Sequence, residues 1–160
     1  MLYKIFKKLN FKQLFGLLGM FLKNPLFAIP TILATQRCMQ ISYKEYGSKH
    51  HLSNQANAFR HALWNILIVK RCLQWKNNEA KAIDWALTFT NWHEDFSPNE
   101  ALDQAMDIHN NRVGVGYLRE IISLDEFQVV LYLKTKASEA QQIKSVSDIE
   151  NYPDQLVFIE

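Results

Sequence analysis

Residues 55–75 read QANAFRHALWNILIVKRCLQW, a run without Pro or Gly that is long enough for about six helical turns. Phe59, Ala62, Leu63, Ile66, Leu67 and Val69 recur in it at the three- and four-residue spacing that gathers side chains on one face of an α-helix. Beside that apolar stripe, Asn57, His61 and Asn65 stand four residues apart and form a second row of amide, imidazole and amide. The stretch predicts a helix that packs on a core and carries a line of hydrogen-bonding groups next to it.

The helical period extends outward from there. Residues 30–46 read as a helix stopped by Gly47 and Ser48, and residues 47–54 as a polar loop. Asn77 and Asn78 end the central helix, and residues 79–93 form the next, with Ala82, Trp85, Ala86 and Phe89 inward. Ser97 and Pro98 open a turn into a helix over 99–112, which Gly114 and Gly116 close. Ser123 and Glu126 have the S-x-x-E form of a capping box, so a last main helix is expected from Leu124 through Phe127, Val130, Leu131 and Leu133. Residues 155–159, after Pro153, read as a short extended segment. The expected fold is all-α: a single-domain bundle of about five to six helices with a short extended C-terminal segment.

The chain has 160 residues, 48% of them hydrophobic, enough to bury one sizeable core and too few for two ordinary domains. A formal charge of +2 and a pI near 8.5 lack the concentrated basic excess of a dedicated nucleic-acid binder. Cys38 and Cys72 have no C-x-x-C spacing, which speaks against a disulfide framework or a cysteine zinc site. Lys4, Lys7, Lys8 and Lys12 precede the apolar run 14–22 and imitate a secretory signal, but Lys23, Asn24 and Pro25 interrupt the run and no small-x-small cleavage site follows. A membrane span over 14–35 would bring Lys23 near the bilayer centre at a cost of roughly 2.5–3.5 kcal/mol, with Pro25 and Pro30 weakening the helix further. Residues 1–24 are therefore expected to form a basic amphipathic helix beside a helical domain of residues 25–160. That helix either packs on the domain or docks on an anionic membrane surface, and the expected location is cytoplasmic, peripheral to the membrane.

Three stretches combine groups that a helical core does not need: residues 57–65 (NAFRHALWN), 91–95 (NWHED) and 106–114 (MDIHNNRVG). His61 suits metal binding or proton transfer. His93 and Glu94 diverge by about 100° on a helix and meet one centre only from its rim, with Phe89 and Trp92 as low-dielectric walls. Asp107, Asn110 and Asn111 share a face, whereas His109 points elsewhere. Singly, each has a structural explanation: Asn57 as a helix cap, Arg60 paired with a carboxylate, the Asp/Asn set satisfying backbone near a helix end. Jointly, polar groups that are costly to bury alone meet most economically around one network lining a pocket.

NAFRHALWN followed by HE and then MDIHNNRVG resembles the signature of the DUF6973-type domains, an uncharacterised bacterial family. The likeness spans about residues 54–116 and falls on Asn57, Arg60, His61, Trp64, Asn65, His93, Glu94, Asp107, His109, Asn110, Asn111 and Gly114. It implies a mainly helical bacterial protein, some members resembling C-terminal domains of larger secreted or toxin-like proteins, and it implies no particular reaction.

The leading functional reading is a hydrolase acting on a phosphoester, including a lipid headgroup. His61, His93, Glu94 and Asp107 would surround a divalent metal that activates water, Asn110 and Asn111 would complete the catalytic set, and Asn57, Arg60, Asn65 and His109 would bind. The order His, His-acid, Asp is similar to that of HD-type phosphohydrolases, although Glu94 stands where that pattern has Asp and the gap to Asp107 is short. A metal-free form would use His61 or His93 as general base, oriented by Glu94, with Asn110, Asn111 or Arg60 stabilising charge. The alternative is a non-catalytic membrane-surface or protein-binding module in which the polar network fixes the helix packing.

Overall fold

The computed structural model describes residues 11–95 and 100–160. It runs through α1 (Phe11–Lys23), α2 (Pro25–Tyr46), a 3-10 segment (Gly47–His51), α3 (Gln55–Trp75), α4 (Glu79–Asp95), α5 (Ala101–Gly116), the single turn α6 (Leu118–Ile121) and α7 (Glu126–Ser138). A two-residue parallel ladder follows, β1 (Gln141–Gln142) on β2 (Val157–Phe158), with Gln141 opposite Val157 and the 3-10 segment Val146–Asn151 between the strands. Apart from that ladder the fold is all-α. The first part of the basic helix expected over 1–24, with Lys4, Lys7 and Lys8, and the turn at Ser97 and Pro98 lie outside the described residues.

The helix read from residues 55–75 is the axis of the bundle, packed against α2, α4, α5 and α7. Its apolar surface is wider than one stripe: Phe59, Leu63 and Ile66 are fully buried, and so are Ile68 and Cys72. A helix that is buried on nearly every side belongs in the centre of a domain. Each of these large side chains contributes roughly 1.5–3 kcal/mol through burial. The helix starts at Asn54, whose side chain accepts hydrogen bonds from the backbone N–H groups of Ala56 and Asn57 at 2.9 and 3.3 Å. The capping role open to Asn57 is thus filled by Asn54, which leaves the Asn57 side chain for another use.

Several element boundaries differ from expectation; α5, expected to close after Arg112, continues through Gly114 to Gly116. α2 begins at Pro25, not Pro30, because a proline in the first helical turn sacrifices no intrahelical hydrogen bond; the interruption of the chain is at Asn24. Pro30 stays inside the helix, where Thr31 donates to the Phe27 carbonyl at 2.6 Å and receives the Trp85 indole N–H at 2.8 Å. The capping box of α7 is Asp125 and Gln128, not Ser123 and Glu126: Gln128 N–H donates to Asp125 Oδ1 at 2.8 Å and Asp125 N–H to Gln128 Oε1 at 3.1 Å. Lys70 takes the preceding carbonyls, at 2.7 Å from both Ile122 and Leu124. Glu126 is released to pair with Arg37 at 2.6 Å.

α5 crosses α3 at Gly114. A Cβ on Gly114 would lie 2.5 Å from Ala62 Cα and 2.9 Å from its carbonyl oxygen, so the two backbones touch. Asp107, Asn111 and Gly114 are four and three residues apart, and the contact that needs the glycine turns the two polar side chains toward α3. Gly114→Ala is expected to cost about 2–3 kcal/mol, because backbone cannot yield as a flexible side chain does. Gly19→Ala, in α1 where an added Cβ meets nothing within 4 Å, should be neutral or stabilise by about 0.5–1 kcal/mol. Urea unfolding of both variants checks this; a Gly114→Ala midpoint equal to wild type would refute the close approach.

Candidate functional site

His61 and Asn65 are buried on the face of α3 that meets α4 and α5, and a polar network accounts for both. Thr90 of α4 donates to Asn65 Oδ1 at 3.0 Å, and Asn65 Nδ2 donates to Asn111 Oδ1 at 2.8 Å and to the His61 carbonyl at 3.1 Å. His61 Nδ1 lies 3.1 Å from the same Asn111 oxygen, and Nε2 lies 2.6 Å from Arg60 Nη2. A guanidinium only donates, so Nε2 accepts and Nδ1 carries the proton: His61 is the neutral Nδ1–H tautomer. Two carboxyls flank the ring, Asp107 Oδ1 at 3.3 Å from Nε2 and Glu94 Oε1 at 3.6 Å from Nδ1. Both of these oxygens are buried and have no hydrogen-bond partner among the described residues, as does Asn57 Oδ1.

In front of this cluster opens a cleft of about 310 Å³. Asn57, Arg60, His93, Glu94 and Asp107 line it, together with His51, Ser53 and Asp103. The last three were not found by reading the sequence. Asp103 had a signal, since it precedes Asp107 by one helical turn; it accepts a short hydrogen bond from the Ser53 hydroxyl. His51 comes from the 3-10 segment, its ring tilted against that of His50 at 3.9 Å between centroids, a placement only the tertiary fold supplies. Behind His93, Trp64 meets Phe89 and His93 edge-on at 5.9 and 5.3 Å, and Phe89 leans on Trp92 at 6.2 Å.

Burial, opposed by Arg60 and reinforced by neighbouring acids, sets the protonation states. Burial and then the charge of Asp107 raise Glu94 to about 8. Burial also raises Asp107 to about 7, against the pull of Arg60 and with Asp103 adding to the rise. The charge of Asp107 opposes ionisation of Glu94, so near neutral pH the pair retains a proton between them. Burial first and Arg60 second push His61 well below its ordinary value, keeping it neutral. His93, on the rim, is lowered in the same sense by desolvation and by Arg60.

The residues singled out by the sequence fall into two groups. Asn57, Arg60, His61, Asn65, His93, Glu94, Asp107 and Asn111 come together at the cleft or immediately behind it. Asn110 and His109 do not. Asn110 Nδ2 donates to the Val157 carbonyl and Val157 N–H to Asn110 Oδ1, both at 2.9 Å, so this amide pairs with the C-terminal strand as a neighbouring strand would. His109 Nε2 lies 2.8 Å from the Gln155 carbonyl. The motif at 106–114 thus serves two faces of α5: Asp107 and Asn111 look into the site, while Met106 and Asn110, one turn apart, hold the segment carrying Ile143 and Val157. Neither Asn110 nor His109 is placed to touch a molecule in the cleft.

Residues 18–141 match the family described as a domain of unknown function, DUF6973. The chain belongs to this family. Comparisons with curated proteins and with solved structures return no match. The match encloses every residue of the candidate site and omits both β2, to which Asn110 is bonded, and Gln155, whose carbonyl meets His109.

Folded DUF6973 protein keeps Glu94 and Asp107 protonated to higher pH than the unfolded chain, whose carboxyls titrate near 4.5 and 3.8. The unfolded state therefore binds fewer protons between about pH 4 and pH 8, and stability falls as pH rises through that window. His61, depressed in the fold, acts oppositely and removes stability as pH falls below 6.5. In chelator-treated protein the unfolding midpoint should decline from pH 6 to pH 8.5, and Glu94→Gln should flatten the decline. Parallel wild-type and Glu94→Gln profiles across that range would contradict the shared-proton assignment.

Proposed function

We propose that the chain is a hydrolase acting on phosphoesters in this cleft, with a divalent metal site formed by His61, Glu94 and Asp107. The observation that carries the reading is the convergence of one ligand atom from each of these three buried residues to within 4.8 Å of one another, two of the residues having oxygens without hydrogen-bond partners among the described residues. An imidazole and two carboxylates are an ordinary ligand set for zinc or manganese. The Nδ1–H of His61 on Asn111 fixes the tautomer that would leave the other ring nitrogen to hold an ion. A divalent ion bound there would supply a water of lowered pKa.

The remaining groups suit a phosphoester. Arg60 carries only donors, lines the cleft and rests on His61 Nε2; ligation through that nitrogen would release the guanidinium, whose fork matches phosphate oxygens. His93, neutral near pH 7 and at the rim, is positioned to exchange a proton with a leaving oxygen. Asn57 Oδ1 can accept from a substrate hydroxyl. Cys38 and Cys72 are free and buried, and a cytoplasmic setting is the compartment we infer.

Metal analysis of purified protein, followed by a panel of phosphomonoesters, phosphodiesters and lipid headgroup esters, tests the proposal. Wild type should hold one divalent ion per chain. Glu94→Gln and Asp107→Asn should lose the ion and lower kcat/KM by about 10²–10⁴-fold while keeping the fold, and Arg60→Lys should act chiefly on KM. Full activity in folded Glu94→Gln and Asp107→Asn would sink the assignment. Activity without an ion would shift the chemistry to the proton shared by the same two carboxyls.

A further inference from the structure

α1 packs one face and leaves another apolar. Leu17 is buried, and Phe21 meets Trp85 and Phe89 at ring-centroid distances of 6.0 and 6.1 Å. Gly16 lies against Trp92, whose indole nitrogen would be 3.1 Å from an added Cβ. Yet Phe11, Leu14, Phe15, Leu18 and Leu22 of the same helix are exposed, Phe11 to 80%, Phe15 to 68% and Leu22 to 71%. At 100° per residue these five fall within a stripe about 100° wide. The pattern continues past the break at Asn24, where Leu26, Ile29 and Leu33 of α2 are exposed as well. Singly exposed apolar residues need no explanation, but a run at helical spacing over residues 11–33 is a patch that invites a partner.

Charge identifies the partner. Residues 1–44 contain Lys4, Lys7, Lys8, Lys12, Lys23, Arg37 and Lys44 and no Asp or Glu, and all 16 acidic residues fall from Glu45 onward. A second copy of this surface would bring like charges together, whereas an anionic bilayer complements both the cations and the apolar stripe. No helix of the described residues is long and apolar enough to cross a membrane, so such a segment lies on the surface. We propose that residues 11–33 form an interfacial docking surface for an anionic lipid bilayer. α1 rests on Trp92, the neighbour of His93 on the cleft rim. Docking does not depend on the chemistry proposed for the cleft.

Flotation of the full chain with vesicles tests this directly. The protein should float with equimolar phosphatidylcholine and phosphatidylglycerol and remain behind with phosphatidylcholine alone, and added salt should weaken the binding. Combining Phe15→Glu with Leu22→Glu should reduce the bound fraction at least about tenfold, and Phe127→Glu, at an exposed position on α7, should leave it unchanged. Circular dichroism checks that each variant is folded. Absence of wild-type flotation, or equal binding by the folded double variant, would overturn the proposal. So would a dimer, detected by light scattering, that the double variant abolishes while vesicles fail to bind.

Discussion

Asn65 has no exposed surface in the middle of the most buried helix, so its amide must be satisfied inside the protein. Every group that meets it comes from a different element: Thr90 from α4, Asn111 from α5, and the His61 carbonyl from the preceding turn of α3. Losing one of these partners leaves another buried polar atom unpaired, at a cost of roughly 1–3 kcal/mol. The network therefore sets the rotation of three helices about their own axes, which apolar packing alone specifies loosely. His61 shares the Asn111 oxygen, and its orientation follows from the same constraint.

Close approach makes that network reachable. Asparagine and aspartate have short side chains, and they bridge two helices only where the backbones come nearer than ordinary side-chain packing allows. Gly114 on Ala62 provides such a point, and Asn111 and Asp107 follow on the same face of α5. The opposite consequence appears at Asn110, whose neighbouring face is too far around the helix to join. It clamps the backbone of Val157 instead, with Met106, Ile143 and Val157 forming a small second core.

Much of this was legible in the sequence because helices declare their period. The central helix, its polar row, and the grouping of Asp107 with Asn111 follow from spacings of three and four. What spacing could not decide was which of two adjacent faces meets the site, so Asn110 was grouped with Asp107 although it turns to the C-terminal strand. Local chemistry with two solutions was also ambiguous. Ser123 and Asp125 both begin plausible capping boxes, and Lys70, far away in sequence, selects the second by occupying the Ile122 and Leu124 carbonyls. His51 and Ser53 reach the cleft through the 3-10 segment and the residues after it, a path set by tertiary contacts.

Charge balance within the cluster bears on its chemistry. With His61 neutral, Glu94 and Asp107 sharing one proton carry a single negative charge, which Arg60 offsets; the buried cluster is then close to neutral, as burial requires. Removing the shared proton leaves two carboxylates against one guanidinium, an arrangement that only an added cation makes tolerable in so buried a place. Binding of the proposed divalent ion and release of that proton would thus be linked, each lowering the cost of the other. In the proposed hydrolase the same exchange would free Arg60 from His61 to meet an anion in the cleft, so the residue that neutralises the site at rest would become the one that receives a phosphoester.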